Sequence, residues 1–335
     1  MNKAIPVFSL HVIITLSMPF FVFSLRTGLP RLSDPCNRPP ADLRSLQTDQ
    51  TTVLINGYSE HRIPLLHSIA ATYAAASSVA AVIILWSNPS TPPQILSDLS
   101  QNLSLSLSSS STTPITIHRQ PSSSLNLRFH PHTSITTRSV LICDDDIEPD
   151  TSSINFAFNI WKSNPDRLIG FFVRSHNYDL THKSWIYTME TQKYSIMLTK
   201  FMILNFHYLH QYTCNKEYSK LRLIVDEKNN CEDILMNFVI AEQVKKGPIL
   251  VGAKKVRDWG DARNEGESMK EREVGLSSRK GEHRKRRGEC IGEFHRLLEK
   301  MPLKYSYGKV MEAIGEQGLC EKGGKLVYCD KQIFR

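Results

Sequence analysis

Along the chain, short uninterrupted apolar runs alternate with stretches whose apolar residues recur every three or four positions. The first run, Thr52-Val53-Leu54-Ile55, stops at the turn dipeptide Asn56-Gly57. Residues 62–76 then carry helical spacing. Val79 to Leu85 is continuously apolar, as a parallel strand covered on both faces should be. From Ser97 to Ser124 serine dominates, centred on Ser108-Ser109-Ser110-Ser111. This predicts an expanded surface loop with Ile115-Thr116-Ile117 as a strand embedded in it. Ser139-Val140-Leu141-Ile142-Cys143 predicts a further strand. Residues 152–162 predict a helix with Phe156, Phe158 and Trp161 apolar, and Leu168 to Val173 another strand. Later, 231–246 reads as an amphipathic helix, Pro248 to Ala253 as a strand, 257–288 as a charged loop region and Cys290 to Leu298 as a last helix. Strands alternating with helices predict an α/β sandwich around a mainly parallel sheet. No fixed repeat is present.

The N-terminus changes the picture from a bare fold to a compartment. Lys3 precedes a nearly uncharged run from Ala4 to Leu25, closed by Arg26. It reads as a cleaved signal peptide, with Val22 and Ser24 suiting cleavage after Ser24, or as a retained signal anchor, ahead of an ordinary buried helix. An anchor would hold the chain on a membrane through residues 4–25. Residues 26–50 are polar and carry Pro30, Pro35, Pro39 and Pro40, the composition of a stem. Both N-terminal readings place the mature chain in an oxidising lumen, where some of its seven cysteines should pair. The odd count leaves at least one free, and Cys143, at the end of an apolar run, is the candidate. No CxxC spacing occurs, which argues against structural zinc. Asn102-Leu103-Ser104 is a glycosylation sequon. The net charge of +8 suits a polyanion, a membrane surface or a phosphate-bearing ligand and does not choose among them.

Three constellations could carry chemistry. Asp144-Asp145-Asp146 follows an apolar strand directly, where parallel α/β sheets bind ligands. Adjacent carboxylates repel one another, and a hard divalent ion with a diphosphate would relieve that cost. The competing account is a solvated turn capping the helix that begins near Ser152. The second constellation, Asp226 to Asp233, precedes the apolar segment Ile234 to Ala241. It reads either as acidic residues favoured in a first helical turn or, at Asp233, as a carboxylate beside an oxocarbenium-like centre. The third, Arg279 to Arg287, is a nucleic-acid-type patch, a solvated face, or the source of one arginine that clamps a diphosphate. The secretory N-terminus argues against a nucleic-acid partner. The histidines show no metal-ligand spacing, and GxSxG, HExxH and Walker-type signatures are missing.

Together these motifs resemble a known family. Val140 to Asp146, Phe156-Ala157-Phe158 with Trp161, Gly170 to His176, Asn230 to Ile234 with Met236-Asn237-Phe238, and Met301-Pro302-Leu303 with Tyr305-Ser306 occur in the order of the exostosin C-terminal domain. That domain defines glycosyltransferase family 64. Val251 to Asn264 and Gly315 to Cys320 are similar to its short plant members. The resemblance implies a single-domain, nucleotide-sugar-binding GT-A-type α/β fold with a mainly parallel mixed sheet flanked by helices. It implies a retaining, Mn²⁺-dependent transfer of a sugar from a UDP- or GDP-linked donor to a glycan or glycolipid. Some plant relatives act on inositol-phosphoceramide sphingolipids, and animal relatives build heparan-type chains. By the same resemblance Asp146 would coordinate Mn²⁺, with Asp144 and Asp145 near ribose and sugar. Asp233 would be the catalytic carboxylate, Arg287 would approach the donor phosphates, and Arg62, Asn88, Asn126 and Arg128 would contact the nucleotide. Cys231 and Cys290 match a family disulfide. Glu232 replaces an aspartate of the animal relatives, and Ser123 an asparagine that meets the base. The expected organisation is a signal or anchor over 1–25, a stem over 26–50, a catalytic domain over 51–310, and a tail over 311–335 carrying Cys320 and Cys329. A Golgi-lumen enzyme is the expected reading, and a catalytically weak sugar-binding or scaffolding member the alternative.

Overall fold

The apolar run at Thr52–Ile55 is the centre of a long strand, β1 (Gln47–Gly57), in a computed structural model that describes residues 34–37, 42–107, 113–190, 192–260, 280–312, 319–322 and 325–328. The apolar run 4–25, the Ser108–Ser111 centre, residues 261–264, Arg279, residues 313–318 and Cys329 lie outside these residues. After β1 come α1 (Ile63–Ala74), β2 (Val79–Trp86), α2 (Pro93–Leu107), β3 (Ile115–Arg119), β4 (Thr137–Asp144), β5 (Ile147–Pro149) and α3 (Thr151–Ser163). The second half contains β6 (Ile169–Gly170), β7 (Val173–Asp179), β8 (Ser184–Thr188), β9 (Lys193–Tyr194), β10 (Ile196–Met197), β11 (Phe201–Asn205) and α4 (Phe206–Cys214). It continues through α5 (Ser219–Lys228), α6 (Glu232–Val244), β12 (Ile249–Gly252), β13 (Val256–Asp258), α7 (Lys280–Leu298), β14 (Ser306–Tyr307) and β15 (Val310–Met311).

The main sheet has the order β15-β12-β6-β11-β4-β1-β2-β3. Strand β11 runs antiparallel to β4 and β6, and the other neighbours are parallel. Alternate side chains of the central strands enter opposite cores. Leu54, Val140 and Ile142 join one, and Val53, Ile55, Leu141 and Cys143 the other. Burial on both faces is why these strands read as continuous apolar runs. The mixed α/β architecture expected from the sequence is the one observed.

Three elements differ from the sequence reading. The serine-rich stretch is helical through Leu107, because Leu99 and Leu103, four residues apart, both bury against the core. The expected strand Leu168–Val173 is split between β6 in the main sheet and β7, which pairs with β8 and β10. At the end of β6, a Cβ on Gly170 would stand 2.1 Å from the Phe201 carbonyl oxygen, so the close approach of β11 requires glycine. The charged loop expected up to residue 288 is, from Lys280, the first half of α7. Its Lys, Arg and Glu residues are good helix formers, and Glu282 pairs with Arg286 at i,i+4.

Two disulfides link described residues, Cys36–Cys214 and Cys231–Cys290. Cys143 is free and buried, and burial pushes its thiol pKa up. Among the described residues no helix is long and apolar enough to cross a membrane.

Candidate active site

Strands β1 and β4 pair in parallel with Asn56 opposite Asp144, so the chain leaving β1 passes beside the acidic triplet. That exit forms a short 3-10 turn, Glu60–Arg62, at the start of α1. It delivers Arg62, whose Nη1 donates to Asp145 Oδ1 at 2.9 Å and to Asp146 Oδ2 at 3.1 Å. The triplet does not cap the next helix. Asp150 does, accepting from the Ser153 amide at 3.1 Å. Asp145 and Asp146 are only 4% and 9% exposed, which is costly for neighbouring carboxylates. Burial raises the Asp146 pKa to about 7, with repulsion from Asp144 and Asp145 adding to it and Arg62 and Lys200 offsetting part. Burial raises Asp145 as well, against the pull of Arg62.

Asp146 Oδ1 is buried and accepts no hydrogen bond within the protein. Such an atom demands a partner, and a carboxylate oxygen among like charges suits a hard cation. No cluster of three or more His, Cys, Asp or Glu among the described residues is arranged to hold an ion alone. The backbone closes tightly over this carboxylate. The Trp259 amide donates to the Asp146 carbonyl at 2.8 Å, and a Cβ on Gly260 would stand 2.3 Å from Asp146 Oδ2. Lys200 pairs with Asp258 at 2.5 Å in the same wall, where β13 runs antiparallel to β5.

A second pair of carboxylates lies in the first turn of α6. Cys231, in a left-handed conformation at φ 77°, precedes Glu232 and Asp233, and all three are buried. Asp233 is 3% exposed and receives the Arg287 guanidinium at 2.5 Å, while Arg287 also donates to Asn230 at 3.0 Å. The Arg287 guanidinium sits 4.5 Å over the Tyr187 ring. The Cys231–Cys290 disulfide joins the residue before Glu232 to the helical turn after Arg287, so it clamps this ion pair from behind.

Arg128 connects the two sites. Its buried Nη1 contacts Asp144 Oδ1 at 3.2 Å, Glu232 Oε1 at 3.1 Å and Thr199 Oγ1 at 2.6 Å. Burial works against the charges here. For Arg128, Glu232 and Asp144 outweigh it and the pKa rises; for Glu232, burial prevails over Arg128 and the pKa also rises. The result is a continuous chain of alternating charge: Arg62, the triplet, Arg128, Glu232 beside Asp233, and Arg287.

The structure thus brings together Arg62, Arg128, Asp144, Asp145, Asp146, Asp233 and Arg287. Asn88 lies just beyond β2 with its side chain accepting from the Ser90 amide in its own turn. Asn126 donates to Asp226 at 2.8 Å and accepts from the Tyr212 hydroxyl at 2.5 Å. Asn102 sits on the exposed face of α2. Asn230 stood in the Asn230–Ile234 motif without a role of its own, and the sequence reading missed Thr199, Tyr187 and the Lys200–Asp258 pair. Each acts by proximity across long separations, and only Asp258-Trp259-Gly260, within the stretch shared with plant relatives, carried any signal.

A family model described as the glycosyl transferase family 64 domain matches residues 51–315. The chain is 58% identical over 301 residues to glycosyltransferase family protein 64 C3 of Arabidopsis thaliana, covering 89% of this chain and 91% of that protein. It is 36% identical over 226 residues to exostosin-1c of Danio rerio, covering 67% of this chain and 28% of that longer protein. Among solved structures, GalNAc-T7 with UDP, GalNAc and Mn²⁺ aligns with a TM-score of 0.41 at 8% identity, over 58% of this chain and 40% of that one.

Proposed function

We propose that this chain, which belongs to glycosyltransferase family 64, is a retaining, Mn²⁺-dependent glycosyltransferase moving a sugar from a nucleotide-sugar donor to a glycan or glycolipid acceptor. The observation that carries the metal reading is the buried Asp146 Oδ1, unpartnered within a carboxylate triplet beyond the end of a parallel strand. A divalent ion there would neutralise charge developing on the departing nucleoside diphosphate. The protein's own residues supply position and field. Arg62 and Arg128 hold the triplet in place, leaving Asp144 and Asp145 to orient ribose and sugar. Asp233, fixed by Arg287, presents a carboxylate suited to stabilising positive charge on the sugar or orienting the acceptor hydroxyl. Burial of Asp233 and Glu232 keeps bulk water from screening that field. Two disulfides support residence in an oxidising secretory compartment, for which the Golgi lumen is our reading.

The test is a panel of UDP- and GDP-sugars with Mn²⁺ on the purified chain, scored for binding and donor hydrolysis. At least one donor should bind in a metal-dependent way, and Asp146→Ala should lose that binding. A wild-type chain that neither binds nor hydrolyses any donor overturns the reading, and full activity in Asp146→Ala overturns the metal assignment.

A further inference from the structure

Where β11 begins, its antiparallel pairing with β4 sets Phe201 opposite Cys143, so Lys200, one residue earlier, stands beside the acidic triplet. Its side chain is 24% exposed, and its ammonium pairs with Asp258 Oδ2 at 2.5 Å. A Cβ on Gly260 would lie 2.3 Å from Asp146 Oδ2 and 3.5 Å from Asp258 Oδ1, so these two carboxylates face one another across the glycine. Lys200 thus brings a positive charge to the carboxylate proposed to hold Mn²⁺. Burial raises the Asp146 pKa, and Lys200 joins Arg62 in offsetting part of that rise. Arg62 reaches the triplet from the β1 side and Lys200 from the β11 side, so the two cations bracket it.

Lys200 is also free to change partner. Asp258 has a second donor, the Gly260 amide, which reaches its Oδ1 at 3.1 Å, so the carboxylate keeps a hydrogen bond when the ammonium leaves. A lysine on its flexible four-carbon stem makes such an exchange without moving the backbone, and an ammonium is a good partner for phosphate. The place suits that partner. Thr199, the residue before, accepts from Arg128 at 2.6 Å and donates to Glu232 at 3.3 Å, next to Asp233. In a nucleotide-sugar the terminal phosphate carries the sugar, so it must lie toward Asp233 from the metal. Thr199 and Lys200 border that path.

We propose that Lys200 is a donor-binding residue that leaves Asp258 to contact the terminal phosphate of the nucleoside diphosphate, an assignment that rests on the transferase reading above. The exchange trades one anionic partner for another, so the ammonium is never left unpaired. A latch that only fastens β13 over Asp146 would make Lys200 and Asp258 equivalent. Donor binding makes them opposites, because Asp258 then competes with the phosphate for the same cation.

The experiment is isothermal titration calorimetry of the full chain in Mn²⁺, comparing UDP with UMP and GDP with GMP. For whichever nucleotide binds, Lys200→Met should weaken the diphosphate about tenfold or more and leave the monophosphate within about twofold. Lys200→Arg should keep most of the preference for the diphosphate. Asp258→Asn frees Lys200 and retains an acceptor for the Gly260 amide, so it should bind the diphosphate at least as tightly as wild type. Equal losses in Lys200→Met and Asp258→Asn overturn the assignment in favour of the latch. Unchanged diphosphate affinity in Lys200→Met, or equal losses of diphosphate and monophosphate, overturn it as well. Failure of the transferase reading appears separately, as a wild-type chain that binds none of the four nucleotides.

Discussion

A buried carboxylate oxygen with no partner, among like charges, is a local cost, and Asp146 Oδ1 is such an atom. Removing it should relieve repulsion within the triplet. We therefore expect Asp146→Ala to melt a few degrees above wild type in EDTA, about 1 kcal/mol for a protein of this size, and to lose the rise in melting temperature that Mn²⁺ gives wild type. Asp233 presents the opposite case. Asp233→Ala would strand the buried Arg287 charge at a cost of about 3–5 kcal/mol, confusing instability with lost chemistry. Asp233→Asn keeps the shape and one acceptor oxygen. It should retain donor affinity while transfer falls by orders of magnitude, measured as kcat against donor Kd. The acidic triplet was legible in the sequence because three adjacent carboxylates after an apolar strand are unusual. Its partners were legible only through family resemblance. Arg62 and Arg128 stand 83 and 16 residues from the carboxylates they bind, and nothing local announces those pairings.

At the scale of elements, strands buried on both faces declared themselves, since continuous apolar runs have few other uses. Helices with unusual surfaces did not. Serine masks α2, yet its inward Leu103 is 1% exposed. Leu103→Ala should cost about 2–4 kcal/mol by chemical denaturation if α2 packs as described. A loop at this position would lose almost nothing. Charge masks the start of α7, where the deciding residues are the few that turn inward, Arg287, Gly288 and Cys290. Helices α4 and α5 were not anticipated, although Tyr208, Leu209, Tyr212, Leu221, Ile224 and Val225 supply their buried faces. A buried tyrosine whose hydroxyl finds a partner reads in sequence as polar, which blurs the helical period.

For the molecule as a whole, acid and base act through different groups. His132 and His176 are buried neutral, with burial first among the causes that lower their pKa values to about 3 and about 4. The unfolded chain takes up these protons near pH 6.5 and the folded chain only far below it. Their stabilising contribution is full above pH 6.5 and is lost as pH falls toward 4. Asp146 works in the other direction: its raised pKa contributes stability at low pH that is lost as pH rises through about 7. Melting temperature in EDTA should therefore peak between these limits, and His176→Gln should flatten the acid side. Because a proton competes with the metal for Asp146, Mn²⁺ should raise the melting temperature more at pH 8 than at pH 6.

The two disulfides also partition the chain topologically. One closes a ring from Cys36 to Cys214, enclosing Arg62, Arg128 and the triplet; the other closes a ring from Cys231 to Cys290, enclosing Asp233 and Arg287. The rings follow one another without overlap, and residues 215–230 are the peptide tether between them. After a single protease cut in that tether, neither of these two disulfides bridges the fragments, and each fragment keeps its own closed ring. A cut inside the first ring, between residues 37 and 213, would leave its ends cross-linked. The proposed donor residues and the proposed catalytic pair thus lie in separate covalent rings, while the shared main sheet, the shared core and the Arg128–Glu232 ion pair join them without a covalent link.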